Sequence, residues 1–170
     1  MGFVERLYKI ADVVDRPLWW VCTVLLVMMT LLTVYAVSAR YFLNIGYQVI
    51  DEICRYSFIA IVYLWGGPIY RTGGHLRLEL TPLEFTGRKK NIHQLIISII
   101  YCGTCCLFFI WGISVTEISR ILAEKSDSFI FMIWWIHAIV TLGMFLQVFY
   151  SFLEILKYIK LISSKEEITV

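Results

Sequence analysis

Charge is the scarcest ingredient of this sequence. Of its 170 residues, 16% are Asp, Glu, Lys or Arg, where a soluble domain carries about 25%. The shortfall is concentrated: residues 18–39, 56–70, 94–116 and 129–153 contain none of the four. With 59% hydrophobic residues and a mean hydropathy of +0.75, the composition points to a bilayer as the solvent. No basic stripe interleaved with aromatics is present and the net charge is only +2, which excludes nucleic acid as a partner.

Other absences narrow the function. The five cysteines (Cys22, Cys54, Cys102, Cys105, Cys106) sit in or beside apolar segments, unlike the loop-rich spacing of a secreted disulfide scaffold. Of the three histidines, His75 and His93 fall in a polar loop and at its edge, leaving His137 alone within an apolar stretch. One buried histidine cannot supply bis-histidine haem ligation; a hydrogen bond to a neighbouring helix or a partner is its simpler role. Ion-coupled carriers place ionisable groups or paired broken helices near the midplane. None is present here, and Gly66-Gly67-Pro68 is a single break without a counterpart. No catalytic residue, cofactor or metal site is expected.

What the chain does have is four apolar segments, predicting an all-α membrane protein of four transmembrane helices in one domain. The spans are placed at about 18–39, 49–71, 93–116 and 129–153. At about 1.5 Å per residue the first reaches roughly 33 Å, enough to cross the hydrocarbon core. Trp19 and Trp20 at one end, with Tyr35 and Tyr41 at the other, suit interfacial anchors.

Ahead of it, residues 3–16 are amphipathic: Leu7, Ile10, Ala11 and Val14 share one helical face, Glu5, Lys9, Asp12 and Arg16 the other. Pro17 predicts a boundary there. The segment reads either as a short helix in the inner interface or as a solvated extension of the next helix. Its acids, and the length of the apolar stretch behind it, argue against a cleaved signal peptide.

The second span carries Asp51 and Glu52 in its first turn, where the helix dipole favours acids. Arg55 lies four and three residues on, within reach of either. Gly66-Gly67-Pro68 is expected to kink or loosen the far end. Beyond it, Thr81-Pro82-Leu83-Glu84 forms a capping box for a short helix. A polar connection with Glu117, Arg120, Glu124, Lys125 and Asp127 follows the third span, and a polar tail with Lys157, Lys160 and Lys165 ends the chain.

Arg40-Tyr41-Phe42-Leu43-Asn44, then Asp51-Glu52 with Arg55, then Gly66-Gly67, Arg71 and Gly73-Gly74-His75-Leu76-Arg77 resemble the small membrane subunit of tripartite ATP-independent periplasmic (TRAP) transporters, the DctQ-like family. The chain departs from that pattern at Val49, where tryptophan is frequent, and in lacking proline across 129–153. The resemblance implies a bacterial inner-membrane, multi-pass accessory subunit. Its partners would be a large sodium-coupled transport subunit, a periplasmic binding protein and the surrounding lipids, and organic acids such as C4-dicarboxylates or sialic acids would be the cargo. Candidate partner or scaffold contacts are Arg40, Asp51, Glu52, Arg55, Arg71 and His75. A competing enzyme reading rests on Cys102, Cys105 and Cys106 as part of a four-helix thiol–quinone oxidoreductase. Its weakness is that no second cysteine pair stands near the outer surface to relay electrons. A structural tetraspan serving an unrelated complex is a third reading.

Orientation follows from lysine and arginine alone. Eleven of the fifteen fall on the side of the two termini and the 71–90 loop, and four (Arg40, Arg55, Arg120, Lys125) on the other. Both termini are therefore expected in the cytoplasm. Reporter fusions after Val170 and within residues 126–128 should report opposite compartments, the former cytoplasmic. A periplasmic C-terminus would invert the topology.

Overall fold

A computed structural model describes residues 3–72, 88–126, 128 and 132–164. The regular elements there are four α-helices: α1 (Phe3–Leu43), α2 (Gln48–Thr72), α3 (Arg88–Ile121) and α4 (Trp134–Ser164). Three carry segments long and apolar enough to cross a membrane: Leu7–Leu43, Asn91–Ile121 and Trp134–Ile162. α2 is not among them, because its tyrosines, tryptophan, glycines, proline and Arg55 lower its mean hydropathy. It is nonetheless 25 residues long, roughly 37 Å.

The helices form an open row. α4 packs against each of the other three, α1 also packs on α2, and α1 and α3 do not meet among the described residues. The α2 and α3 backbones stay apart and are bridged by side chains, with the Tyr70 ring stacked on Tyr101 at 4.4 Å. The lateral order is thus α1–α2–α4–α3, with no closure of α1 onto α3. Burial follows from that order: within the most apolar 18 residues of each helix, 39% are buried in α4, but only 6% in α1 and 11% in α3. Water would not tolerate so much exposed Leu, Ile, Val and Phe, whereas lipid covers it without cost.

Two small cores hold the row together. Cys22, Ala60 and Leu64, with Leu25, Ile139 and Leu146 around them, join α1, α2 and α4 through the apolar slab. Ala11, Tyr150 and Leu153, flanked by Leu7 and Phe149, join the beginning of α1 to α4.

That second core corrects the expectation of a separate amphipathic N-terminal helix. α1 runs without interruption from Phe3 to Leu43, with Pro17 inside it. Proline costs a helix one backbone bond and a clash with the carbonyl four residues back. Packing of Leu7 and Ala11 on α4 holds the segment straight on instead. Ile10, expected on the same face, is exposed. The third and fourth helices also differ from their expected bounds. α3 begins at Arg88 rather than at 93. α4 begins at Trp134 rather than at 129 and continues to Ser164, where the fully buried Leu153 and buried Glu154 and Tyr158 extend its packed face beyond the expected end. The capping box at 81–84 lies outside the described residues.

Gly66-Gly67-Pro68 does not end α2, which continues to Thr72. Its glycines serve close approach. A Cβ on Gly67 would lie 2.5 Å from the Tyr150 ring, and one on Gly143 of α4 would lie 2.6 Å from the Tyr63 carbonyl oxygen. Backbone cannot yield as a side-chain tip can, so Gly143 sets the α2–α4 separation. Gly143→Leu should destabilise the fold by about 1–3 kcal/mol through overpacking, read as a lower unfolding temperature in detergent. Gly103 on α3 faces open space, and Gly103→Ala should be neutral or stabilising by about 0.5–1 kcal/mol. Equal effects at the two glycines would refute the close-approach account.

Candidate functional site

Polar side chains gather at the two ends of the row and at one point between them. At the end that carries the α1–α2 turn, α1 stops at Leu43 and Asn44 takes a left-handed backbone conformation (φ 53°), a geometry that asparagine tolerates. The chain reverses and α2 starts at Gln48, which brings Arg40 and Asp51 together with Nη2 donating to Oδ2 at 3.3 Å. Both side chains are well exposed, at 64% and 59%. Of the two acids in the first turn of α2, Asp51 is the one that Arg40 meets.

Glu52 has a different environment. One residue on, the helix turns it away from solvent until it is 2% exposed. Its Oε1 accepts a bond from the Tyr56 hydroxyl at 2.7 Å, one turn along α2. Its Oε2 accepts bonds from the backbone N–H of Ser128, at 3.4 Å, and from the Ser128 hydroxyl. The α3–α4 connection is thereby fastened onto the first turn of α2. That connection is shaped by Ala123 at φ 48° and by Ile133 N–H donating to the Glu124 carbonyl at 3.1 Å. Arg55 is exposed and lays its guanidinium against the Tyr56 ring, 5.5 Å from the centroid.

The opposite end holds a network that charge patterning alone did not reveal. Arg71, in the last turn of α2, donates to Asp15 Oδ2 at 2.9 Å and also to Asp12, both on α1. Tyr150 of α4 donates its hydroxyl to the other oxygen of Asp15. Arg71 further stands over the Tyr8 ring at 5.1 Å. Below it, buried Glu154 is held by Lys157, whose Nζ lies 3.1 and 3.3 Å from the two carboxylate oxygens. Asp12 reads from sequence as part of an outward polar face, and Asp15 as an acid without an assigned face. The usable signal was their helical spacing from Tyr8 and Ala11, which places all four toward α2 and α4. His75, Gly73, Gly74, Leu76 and Arg77 lie outside the described residues.

Between the ends, Gln147 of α4 ties three helices together. Its Nε2 donates to the Tyr63 carbonyl of α2 at 3.3 Å, and its Oε1 accepts from Tyr101 Oη at 3.1 Å and Cys105 Sγ at 3.7 Å on α3. Tyr70 donates to Ser98 at 2.9 Å, and the Thr116 and Thr141 hydroxyls lie 3.1 Å apart across α3 and α4. These side chains thus meet polar partners across the helix contacts, as lipid requires. The α3 cysteines take part as packing groups. Cys105 is buried against Gln147, and all five cysteines are free thiols. Among the described residues no group of His, Cys, Asp and Glu is arranged to hold a metal. The His137 side chain has no hydrogen-bonding partner among the described residues, so the expected bond to a neighbouring helix is not found.

A family model described as tripartite ATP-independent periplasmic transporters, DctQ component, matches residues 29–161. That stretch contains Arg40, Asp51, Glu52, Arg55, Arg71, Gln147 and Tyr150; Asp12 and Asp15 precede it. No curated protein and no solved structure matches the chain.

The two ion pairs should differ in weight. Arg71 is 17% exposed and Asp15 25%, so removing the arginine leaves a half-buried carboxylate without its cation. Arg71→Gln should cost about 2 kcal/mol and raise hydrogen exchange along residues 7–16. Arg40→Gln, at an exposed pair, should cost about 0–1 kcal/mol and leave exchange there unchanged. Comparable losses for both would show that the inner network does not fasten α1.

Proposed function

The chain belongs to the DctQ family of tripartite ATP-independent periplasmic transporter components, and on that premise we propose that it is an accessory subunit that braces the large transport subunit of a sodium-coupled system for organic acids, such as C4-dicarboxylates or sialic acids. DctQ components are small membrane subunits that work with a large membrane subunit, DctM, and a periplasmic binding protein. The observation that carries the bracing role is the state of the groups inside the slab. Gln147, Tyr70, Ser98, Thr116 and Thr141 are committed to interhelical bonds, and residues 18–39, 56–70, 94–116 and 129–153 contain no Asp, Glu, Lys or Arg. With no Asp, Glu, Lys or Arg at mid-depth, the chain lacks the charged ligands that ion-coupled carriers place there.

On this reading the protein is a single domain that crosses the inner membrane four times, with both termini in the cytoplasm. Support for α2 as a span comes from its two ends. Asp51 meets Arg40 at one end and Arg71 meets Asp15 at the other, so α2 runs antiparallel along the same length of α1 that crosses. The Arg40–Asp51 pair and Arg55 stand exposed at the outer rim, beside a loop that Glu52 holds in place. They are the surface proposed to meet the large subunit or the binding protein. Arg71 is assigned to holding the inner end, and His75 in the inner loop remains a proposed partner contact.

Proteoliposomes settle the assignment. This chain alone should give no sodium-dependent uptake of any organic acid, whereas the three components together should. Uptake by the chain alone would overturn the accessory role. In the complete system, Asp51→Arg should reduce uptake. Adding Arg40→Glu should restore it if the pair serves the hairpin, and should fail to restore it if the charges face a partner.

A further inference from the structure

We propose that the groove between α3 and α4, in the half of each helix nearest their connection, is a binding site for one phospholipid whose zwitterionic headgroup carries a primary amine, the phosphatidylethanolamine class. The groove has a volume of about 500 Å³. Its walls are apolar, with Phe109 and Ile113 on α3 facing Leu142 and Phe145 on α4. Thr116 and Thr141 also line it, but their hydroxyls are satisfied by one another at 3.1 Å, so the trough offers nothing polar until its rim.

Length and closure identify an acyl chain rather than a partner helix as the occupant. From Phe109 to Arg120 the groove follows α3 for roughly 16 Å, and one leaflet contributes roughly 15 Å of hydrocarbon. At its deep end Phe109 and Phe145 meet, with ring centroids 5.7 Å apart. Beyond them the seam is shut by Tyr101 and Cys105 reaching Gln147 at 3.1 and 3.7 Å. A transmembrane helix laid in the groove would have to continue across the other leaflet, where no trough exists. A lipid tail ends at the midplane.

The rim chooses the headgroup. Glu117 and Arg120 stand there three residues apart on α3, both exposed and both lining the groove. They do not pair with each other, and among the described residues neither side chain has a hydrogen-bonding or ionic partner. An ammonium group complements the carboxylate, and the adjoining phosphate complements the guanidinium. A phosphatidylglycerol headgroup would satisfy Arg120 but set its charge against Glu117. A quaternary ammonium has no N–H to donate to the carboxylate. The inference rests on α3 and α4 crossing the bilayer, not on the transport assignment.

The test uses the full chain, purified in mild detergent and titrated with dioleoyl phosphatidylethanolamine, phosphatidylcholine or phosphatidylglycerol, with adducts counted by native mass spectrometry. One saturable adduct should form, favouring the ethanolamine lipid over the glycerol lipid by about three- to tenfold, the worth of one attractive contact exchanged for a repulsive one. Glu117→Gln should erase that preference, and Arg120→Gln should weaken binding of all three lipids. Ala138→Trp, which fills the groove from its α4 wall, should abolish the adduct. Equal binding of the three lipids by the wild type would overturn the proposal. So would a preference unchanged in Glu117→Gln, a variant at an exposed position that does not threaten the fold. An adduct surviving in Ala138→Trp with a wild-type unfolding temperature would do the same. Cross-linking of Ile113→Cys to another subunit in near-complete yield within native membranes would instead assign the groove to a protein partner.

Discussion

The seam between α2 and α4 is the constraint on which the other contacts depend. Glycine at 143 lets the α4 backbone come against the Tyr63 carbonyl, and glycine at 67 admits the Tyr150 ring. Once the two helices are that close, Gln147 can reach the same Tyr63 carbonyl from α4 while its other end faces α3. Tyr150, seated against Gly67, is carried to where its hydroxyl meets Asp15 of α1. One close approach therefore recruits both outer helices. Polar bonds are effective here because lipid offers hydroxyl and amide groups no alternative partner, although each such bond is worth only about 0.6–2 kcal/mol.

The ends of the seam differ in how far their charges are enclosed. Along α2, Asp51 and Arg71 are about 30 Å apart, close to the thickness of the hydrocarbon core. Charged pairs occur at those two levels, and residues 56–70 of α2 between them carry only neutral donors and acceptors. The outer pair is open to water and contributes little to stability. The inner network is enclosed by the Tyr8 and Tyr150 rings and by three helices, so its members depend on one another. Stability is accordingly concentrated at the inner end. The Arg40–Asp51 pair at the other end stays exposed.

Much of this was legible in the sequence. Uncharged blocks located the helices, and Arg40 with Asp51 marked the first hairpin because both flank a short turn. The continuity of α1 was not legible. Proline has a strong local preference against a helix interior, and the contacts that override it come from Tyr150 and Leu153, more than a hundred residues away. Gly66-Gly67 read as a flaw in a helix, since a sequence does not show which backbone will press against a missing side chain. Gln147 was passed over for a related reason. It is uncharged and leaves no mark in a search for ionisable groups, yet among neutral side chains it makes the contacts that join three helices. Asp12 and Asp15 were visible as acids, but only the fold supplies Arg71 as their cation.

The open row has a mechanical consequence. A closed four-helix bundle turns its best packing surface inward and leaves lipid an evenly apolar exterior. Here α1 and α3 sit at the margins, and each buries little of its span, so both broad faces of the row stay uncovered along their length. In the membrane those faces gain nothing from the hydrophobic effect when they meet another apolar helix, because lipid solvates them equally well. Shape and the few polar groups at the rims must therefore decide what covers them. A thin, wide wall whose Gln147, Thr116 and Thr141 side chains are already bonded across its seams can lie along a larger neighbour without rearranging its core. That suits a brace better than a moving part, since motion along the α2–α4 seam would have to break the Gln147 bonds where no water can replace them.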